Sequence, residues 1–426
     1  MPIIENFPII HPGNGEVKYR IVLFQGGLGD ESDNELTYFS ETVRKIIARS
    51  IDDYSPKIID NYLDSSTGFI DMSDFDVSKN RFRNDNIKRS FDLKISRIYN
   101  LAKNNPSKTL LVRTFLNMIY DSNIYYDSIE NQKTKLIYII DALKQYENVE
   151  IFLVGHSQGG LVNLEAAIER NEDIERMISI STPYAPVDYA YFYSMSLIGN
   201  ELIEYVKYVC MMENDALKLT KYRQCVEVLA SANYYTNLKN KWNALSPRPT
   251  LTVITGTAGR ICEAVVPNSY TPEECEGAAF DGLVMLTDQK DISYATKINL
   301  VDTNVPCYDV WNKAWLNCVT STNCADTCSG NCTLETHSIT KLFFDYLGAA
   351  VEELISVERW SEEEFNVFTN NPLFRAIQEG LNSNINFNCP DGYEDYYRIA
   401  LNPYNHKHIM YNDETIELLF DLLTAY

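Results

Sequence analysis

The chain has 426 residues, 45% of them hydrophobic, which is enough for one large core or for a core domain with a smaller cap. Its formal net charge of −22 means that phosphate backbones and anionic membrane surfaces repel it at long range, which argues against a nucleic-acid partner. The sequence contains no apolar run of 18 residues, so it predicts no transmembrane segment, and residues 1–8 lack the basic start and apolar stretch of a secretory signal.

Strand-like and helix-like segments alternate through the first half of the chain, which is typical of a mostly parallel sheet. The first predicted strand, residues 19–24, ends in a glycine-rich turn at 25–29. Later strands are predicted at 109–116, 149–154, 176–181, 251–255, 296–301 and 396–401. Helices are predicted at 35–51, 129–146, 161–170, 339–357, 360–381 and 413–423. The pattern therefore predicts an α/β fold that is built one crossover at a time.

Two stretches interrupt this alternation. Residues 184–246 contain no predicted strand and are rich in aromatic and aliphatic residues, so we expect a helical lid or cap over an acyl-chain groove. The alternative is a helical subdomain that packs on the core. Residues 304–336 form a cysteine-rich insert, and the rest of the chain, 1–183 and 247–426, is predicted to be the core domain.

The ten cysteines are unevenly distributed, since none precedes Cys210 and four fall between residues 318 and 332. Small cysteine-dense loops usually need covalent bracing, so we expect disulfide bonds and an oxidising compartment such as the exterior, with the cytoplasm as the alternative. Reduced thiols are a second interpretation of the cluster. A zinc site is a third, although the C-x3-C-x3-C spacing fits no common pattern; its candidate ligands are Cys324, Cys328, Cys332 and His337.

A G-x-S-x-G pentapeptide occupies residues 155–159, between the predicted strand 149–154 and the helix that follows. This context matters because a nucleophilic serine of this kind sits on a sharp turn from strand to helix. We therefore predict Ser157 as a nucleophile, with an ordinary turn and a capping serine as the alternative. The backbone N–H groups of Gln158 and Gly27 are the predicted oxyanion donors, although the turn around Gly27 is also readable as a plain glycine-rich turn.

Four separated motifs resemble the bacterial lipase branch of the α/β-hydrolases over roughly residues 18–350: the glycine-rich turn at 25–28, GHSQGGLV at 155–162, Ser-Thr-Pro at 181–183 and Asp-Gly-Leu-Val at 281–284. The resemblance implies the α/β-hydrolase fold, and a lipase or carboxylesterase with a triad in the order Ser, Asp, His. This chain departs from the family pattern at Gln25-Gly26, where such lipases usually carry His-Gly.

Asp281 is the predicted triad acid because it follows the strand 251–255 and begins the Asp-Gly-Leu-Val string. Its competitor, Asp288, is interpreted as a solvated surface carboxylate. Position in the chain determines the base less well than the acid, because a triad is defined by its three-dimensional geometry. We predict His337, which follows the cysteine-rich insert and leads into a helix; His406, before the last predicted helix, is the main alternative, and His408 is a further one.

These residues together predict a serine hydrolase that cleaves carboxylic esters of lipid type through an acyl-enzyme intermediate. The chemistry requires no cofactor and no metal ion. The expected partner is a small-molecule or lipid ester, with transient contact between the lid and a lipid interface. The alternatives are acyl transfer, or thioester or amide cleavage, by the same triad, and a binding protein that kept the fold and lost activity.

Overall fold

The computed structural model describes residues 3–5, 18–27, 39–51, 56–60, 68–117, 127–185, 232–261, 279–281, 284, 286–301, 307–308, 403–404, 406 and 408–425. The strands are β1 Ile3–Glu5, β2 Tyr19–Gln25, β3 Phe69–Asp71, β4 Phe75–Asp76, β5 Arg81–Phe82, β6 Leu110–Phe115, β7 Val149–His156, β8 Ile174–Ile180, β9 Thr250–Thr257, β10 Gly259–Ile261, β11 Ala279–Phe280, β12 Ala295–Val301 and β13 Cys307–Tyr308. The helices are α1 Ser40–Ile51, α2 Asp85–Lys103, α3 Ile129–Leu143, α4 Gln158–Glu169, α5 Ala232–Ala244, α6 Leu286–Lys290 and α7 Asp413–Thr424. Short 3-10 helices occupy Val77–Lys79 and His408–Met410.

The central sheet has eight strands in the order β1-β12-β9-β8-β7-β2-β6-β3. Its seven strands from β12 to β3 are parallel, and β1 pairs antiparallel with β12 at one edge. Helices α1 to α6 lie between successive strands along the chain, since parallel neighbours cannot be joined by a tight hairpin. The predicted α/β class, with a mostly parallel sheet flanked by helices, is confirmed.

Alternate residues of the central strands face two separate apolar cores. In β2, Ile21 and Leu23 pack on the face that carries α2, α3, α4 and α5, while Val22 and Phe24 pack on the face that carries α1 and α7. Because both faces are covered, the inner strands are continuous apolar runs without polar alternation. This explains why the strand predictions from short apolar runs at 19–24, 149–154 and 251–255 coincide with β2, β7 and β9.

Helix α7 is tied to the sheet by two buried arginines at the amino ends of their strands. Arg20 Nη1 donates to the carbonyl oxygens of Leu423 (3.0 Å) and Ala425 (2.7 Å), and Arg176 Nη1 donates to that of Leu422 (2.9 Å). These carbonyls belong to the last turn of the helix, where no intrahelical donor remains. The two guanidinium groups lie 4.4 Å and 5.4 Å from the centroid of the Phe152 ring. They therefore fix the far end of the helix that follows residue 406.

Several elements differ from the sequence predictions. The 19-residue helix α2 and the edge strands β1 and β3 were not predicted, and the helix expected at 35–51 is described from Ser40. In the region 184–246, the described helix α5 packs on the core through Tyr235, Leu238 and Trp242. Most of the predicted lid and the cysteine-rich insert lie outside the described residues, as do the helices predicted at 339–357 and 360–381 and the strand predicted at 396–401. Within the described ranges, no helix has the length and apolar character that a bilayer crossing requires.

Candidate active site

Ser157 occupies the sharp turn between β7 and α4. Its backbone has φ 51° and ψ −126°, in the region of positive φ that a residue with a side chain rarely adopts. Two hydrogen bonds hold this turn: the Ser157 N–H donates to the Ile180 carbonyl at 3.0 Å, and the Gly160 N–H donates to the Ser157 carbonyl at 3.1 Å. The sharp strand-to-helix turn that the G-x-S-x-G pattern predicts is therefore present at Ser157.

Gly159 lets the loop after β2 approach the start of α4. A Cβ atom at this position would overlap the carbonyl oxygens of Gln25 and Gly26, so no larger residue fits without moving that loop. This contact places the end of β2 and the glycine-rich turn beside the first residues of α4 and the serine turn, where an oxyanion donor is needed.

Asp281 is fully buried just after β11, and both of its carboxylate oxygens are hydrogen-bonded. Oδ1 accepts the Val284 N–H at 2.7 Å, while the Asp281 N–H donates to the Val284 carbonyl at 3.1 Å and closes the turn. Oδ2 lies 2.8 Å from His406 Nδ1. A buried carboxylate is stable only when such donors satisfy it, so this arrangement holds Asp281 in one orientation.

His406 is the histidine that the structure places against Asp281. Besides the contact between its ring and the carboxylate, its backbone N–H donates to the Asp281 carbonyl at 2.8 Å. An ionised carboxylate only accepts hydrogen bonds, so the pair requires the proton on His406 Nδ1 and leaves Nε2 as an acceptor. The arrangement has the form of an acid that orients a general base.

His156 connects this histidine to the nucleophile turn. Its Nε2 lies 2.6 Å from the His406 carbonyl oxygen, and because a carbonyl only accepts, His156 Nε2 is the donor. The two rings lie 4.7 Å apart between centroids. The sequence pattern predicts no role for His156, whereas its side chain, one residue before Ser157, anchors the loop of His406. The available signal in the sequence was a histidine at the carboxyl end of an apolar predicted strand, where a polar side chain needs a hydrogen-bond partner.

A set of buried amides and one buried ion pair lies on the other side of the serine. Asn117 Nδ2 donates to the Gly27 carbonyl at 2.9 Å, and Gln132 Nε2 donates to Gln158 Oε1 at 3.1 Å. As the first residue of α4, Gln158 has a backbone N–H without an intrahelical acceptor. Both predicted oxyanion residues are thus held by side chains from neighbouring elements, and the positive end of the α4 dipole lies beside the serine.

The ion pair consists of Lys135 and Asp127, which are both about 1% exposed and lie 2.8 Å apart. Lys135 Nζ also donates to the Leu116 carbonyl at 2.8 Å, and Gln132 Nε2 donates to the Asp127 carbonyl at 2.9 Å. Burial lowers the pKa of Lys135, and the negative charge of Asp127 opposes this shift. The pair therefore joins the end of β6 to the start of α3 beneath the loop that carries Gly27.

The other candidates from the sequence lie elsewhere. His337 and the candidate zinc ligands are outside the described residues, and no group in the described ranges brings together three or more residues able to hold a metal ion. His408 is in a 3-10 helix, with its ring 5.6 Å from that of Tyr411. Asp288 is half-buried, and its carbonyl accepts the Tyr184 N–H at 2.8 Å, so it is less exposed than expected.

The central sheet is mostly parallel, and a strained serine lies between β7 and α4. Asp281 and His406 follow in that order, in segments after β9 and β12. This is the architecture of the α/β-hydrolase fold, so the predicted fold class is confirmed.

No family model and no curated protein matches the chain. Among solved structures, the mature form of a Bacillus licheniformis lipase is 13% identical with a TM-score of 0.33, over 71% of this chain and 89% of that one. A lipase-esterase related protein from Clostridium acetobutylicum is 11% identical with a TM-score of 0.28, over 69% and 89%. An α/β-hydrolase enzyme from a Medee basin deep-sea metagenome library is 10% identical with a TM-score of 0.31, over 68% and 84%.

Proposed function

We propose that this chain is a serine hydrolase that cleaves carboxylic esters of lipid type, with Ser157 as nucleophile, His406 as base and Asp281 as acid. The observation that carries the proposal is the buried pair of Asp281 and His406, which His156 links to the strained serine turn. A serine hydroxyl is a poor nucleophile at neutral pH and needs an oriented base. His406 replaces His337, which the sequence favoured, because it is the histidine found in contact with the acid.

The reaction follows from the protonation states that the contacts require. His406 Nε2 accepts the proton of Ser157 Oγ as that oxygen attacks the ester carbonyl carbon, and the imidazolium is stabilised by Asp281. The carbon–oxygen bond to the alcohol then breaks, and the imidazolium gives its proton to the departing oxygen. A water molecule repeats the sequence on the acyl-enzyme, which releases the carboxylic acid and restores the serine.

Negative charge develops on the carbonyl oxygen during both halves of this reaction. The backbone N–H groups of Gln158 and Gly27 are the proposed donors to that oxygen. Support for this assignment comes from the buried contacts of Gln132 with Gln158 and of Asn117 with Gly27, which limit the movement of both residues. Donors that are fixed before the charge appears stabilise it without reorganisation.

The lipid type of the ester is proposed from the composition of residues 184–246. This region is rich in aromatic and aliphatic residues and leaves the sheet after β8, where a cover would lie over the serine. The same proposal includes an acyl chain bound in this apolar groove and transient contact of the cover with a lipid interface.

The test is labelling of the whole chain with a fluorophosphonate, which reacts only with an activated serine. We expect one adduct at Ser157, and Ser157→Ala should lose both the adduct and more than about 1,000-fold of ester hydrolysis. Ser179→Ala, a change at a buried serine of β8, is the matched control and should keep both. Absence of an adduct in the unchanged protein would contradict the proposal and favour the inactive binding protein.

A substrate panel separates ester hydrolysis from its catalytic alternatives. Nitrophenyl esters from acetyl to palmitoyl, with a matching thioester and amide, should show the highest kcat/KM for a long-chain ester. A preference for the thioester or amide, or transfer of the acyl group to an added alcohol in place of water, would overturn the assignment to lipid ester hydrolysis.

A further inference from the structure

The side chain of Gln289 is fully buried on the short helix α6, and its amide is hydrogen-bonded to two backbone segments. Oε1 accepts the Gly256 N–H at 3.1 Å. Nε2 donates to the Val284 carbonyl at 2.9 Å and to the Gly256 carbonyl at 3.4 Å. The amide of Gln289 therefore accepts a hydrogen bond from Gly256 and donates to both Gly256 and Val284.

The need for this amide follows from the lengths of the strands. Pairing of β8 with β9 ends at Ile180 and Ile254, and the Ser181 N–H donates to the Ile254 carbonyl at 2.9 Å. Strand residues two positions apart point their backbone groups to the same side, so Gly256 also faces the β8 side, beyond the point where β8 ends. Buried backbone groups need partners, and Gln289 supplies them in place of a neighbouring strand.

Both segments that Gln289 contacts adjoin the acid and the base. Val284 closes the turn of Asp281 through its own N–H and carbonyl. Gly256 lies against the loop of His406, because a Cβ atom at this position would overlap the Tyr404 carbonyl oxygen. The Gln289 amide thus contacts the turn of Asp281 through the Val284 carbonyl. It also supports the end of β9 at Gly256, which the loop of His406 touches.

We propose that Gln289 is a positioning residue that sets the orientation of Asp281 relative to His406; the inference rests on the proposed function of that pair. It acts through Val284 and Gly256 and does not touch the substrate. Outer groups that orient a reactive side chain in this way typically affect activity about 10- to 100-fold when they are removed.

Two substitutions test this role in the full-length protein. Gln289→Met keeps the length of the side chain and removes both hydrogen-bonding groups, so Asp281 should be held less firmly and stabilise the imidazolium less. We expect kcat for a nitrophenyl ester to fall about 10- to 100-fold with KM within about twofold. The rising limb of the pH profile of kcat should move to lower pH by about half a unit or more.

Gln289→Glu places a carboxyl group where the amide donates to the Val284 carbonyl. Burial beside carbonyl oxygens disfavours the ionised form, so the neutral carboxyl group should donate to the Val284 carbonyl and accept the Gly256 N–H, and kcat near neutral pH should stay within about twofold of the unchanged protein. At alkaline pH, ionisation of this carboxyl group removes the donor, so kcat of the variant should fall where that of the unchanged protein does not. Loss of activity in Gln289→Met with retention in Gln289→Glu is not expected of a residue that only fills the core. If Gln289→Met does not fold, the alkaline fall of kcat in Gln289→Glu still decides the question.

Asn299→Leu is the matched control, since Asn299 is a buried amide that accepts hydrogen bonds from Thr255 and Thr257 on the other side of β9. This variant should melt at a lower temperature and keep the pH profile of the unchanged protein. Wild-type kcat and pH profile in folded Gln289→Met, or a wild-type pH profile through alkaline pH in Gln289→Glu, would overturn the positioning role while leaving the hydrolase proposal intact. Failure of the unchanged protein to react with fluorophosphonate would instead remove the hydrolase proposal, and this inference with it.

Discussion

The two flanks of the serine turn are built in different ways. The oxyanion flank, formed by β2, β6 and α3, comes from residues 19–143 and contains the buried ion pair of Lys135 and Asp127. The acid–base flank joins residues 256, 281, 284, 289, 404 and 406, which come from segments far apart in the sequence, through backbone contacts, the neutral amide of Gln289 and the contact of Asp281 with His406. The oxyanion flank is thus stabilised by a lysine–aspartate ion pair within one stretch of the chain, and the acid–base flank by the close approach of separate segments.

This difference predicts how each flank responds to substitution. Breaking a buried ion pair leaves an uncompensated charge, so changes on the oxyanion flank should act mainly on the free energy of unfolding. Displacing one segment by about 1 Å disturbs catalysis far more than it disturbs a core of this size, so changes on the acid–base flank should act mainly on kcat.

The largest effect is expected at His406. Without a base, Ser157 keeps its proton, so His406→Ala should lower kcat/KM for a nitrophenyl ester by at least about 1,000-fold. The variant should stay folded, as judged by circular dichroism, and melt at a lower temperature because the buried Asp281 carboxylate loses the donor to Oδ2. His337→Ala and His408→Ala are the controls and should retain activity; a comparable loss in His337→Ala with activity kept in His406→Ala would show that the base was wrongly assigned.

The next effect is on the oxyanion flank. Lys135→Met leaves the Asp127 carboxylate buried without its cation, which should lower the free energy of unfolding by about 3–5 kcal/mol in urea denaturation. The double variant with Asp127→Asn removes both charges and should recover most of that loss. The exposed pair of Lys88 and Asp92 provides the matched comparison, because Lys88→Met should cost less than about 1 kcal/mol. Equal losses at the two sites would remove the distinction between the flanks.

The third effect is smaller and lies on the acid–base flank. Gly256→Ala places a methyl group against the Tyr404 carbonyl and so displaces the loop of the base. We expect kcat to fall about 100-fold with the fold retained, as measured by hydrolysis and circular dichroism. Thr255→Ala, on the same strand but with its hydroxyl toward Asn299, should leave kcat within about twofold. Normal activity in Gly256→Ala would mean that this approach does not position His406.

The central strands and the serine turn were predictable because their signals are local. An apolar run followed by G-x-S-x-G specifies strand, turn and helix within twenty residues, and β7, Ser157 and α4 follow that pattern. Asp281 was predictable from its order in the chain. Its contact with a particular histidine was not, since chain order allows both His337 and His406 and the choice depends on three-dimensional approach.

Helix α2 was missed although its signals are present. Asn84 caps its first turn, and its buried residues follow a helical spacing: Phe91, Ile95, Ile98 and Ala102. Four buried positions in 19 residues leave a mostly polar segment, which made the periodicity weak. The strands β1 and β3 have three residues each, too few for an alternating pattern to be recognised.

His406 follows Ser157 by 249 positions, which has a consequence for a chain that is still being made. A ribosome that has completed β7 and α4 has already delivered the serine turn, while the imidazole is yet to be synthesised and the helix that Arg20 and Arg176 grip is missing. Domains fold as units during synthesis, amino-terminal parts first. On the proposed function, nascent copies therefore hold Ser157 without its base until α7 has been made and has docked on the sheet.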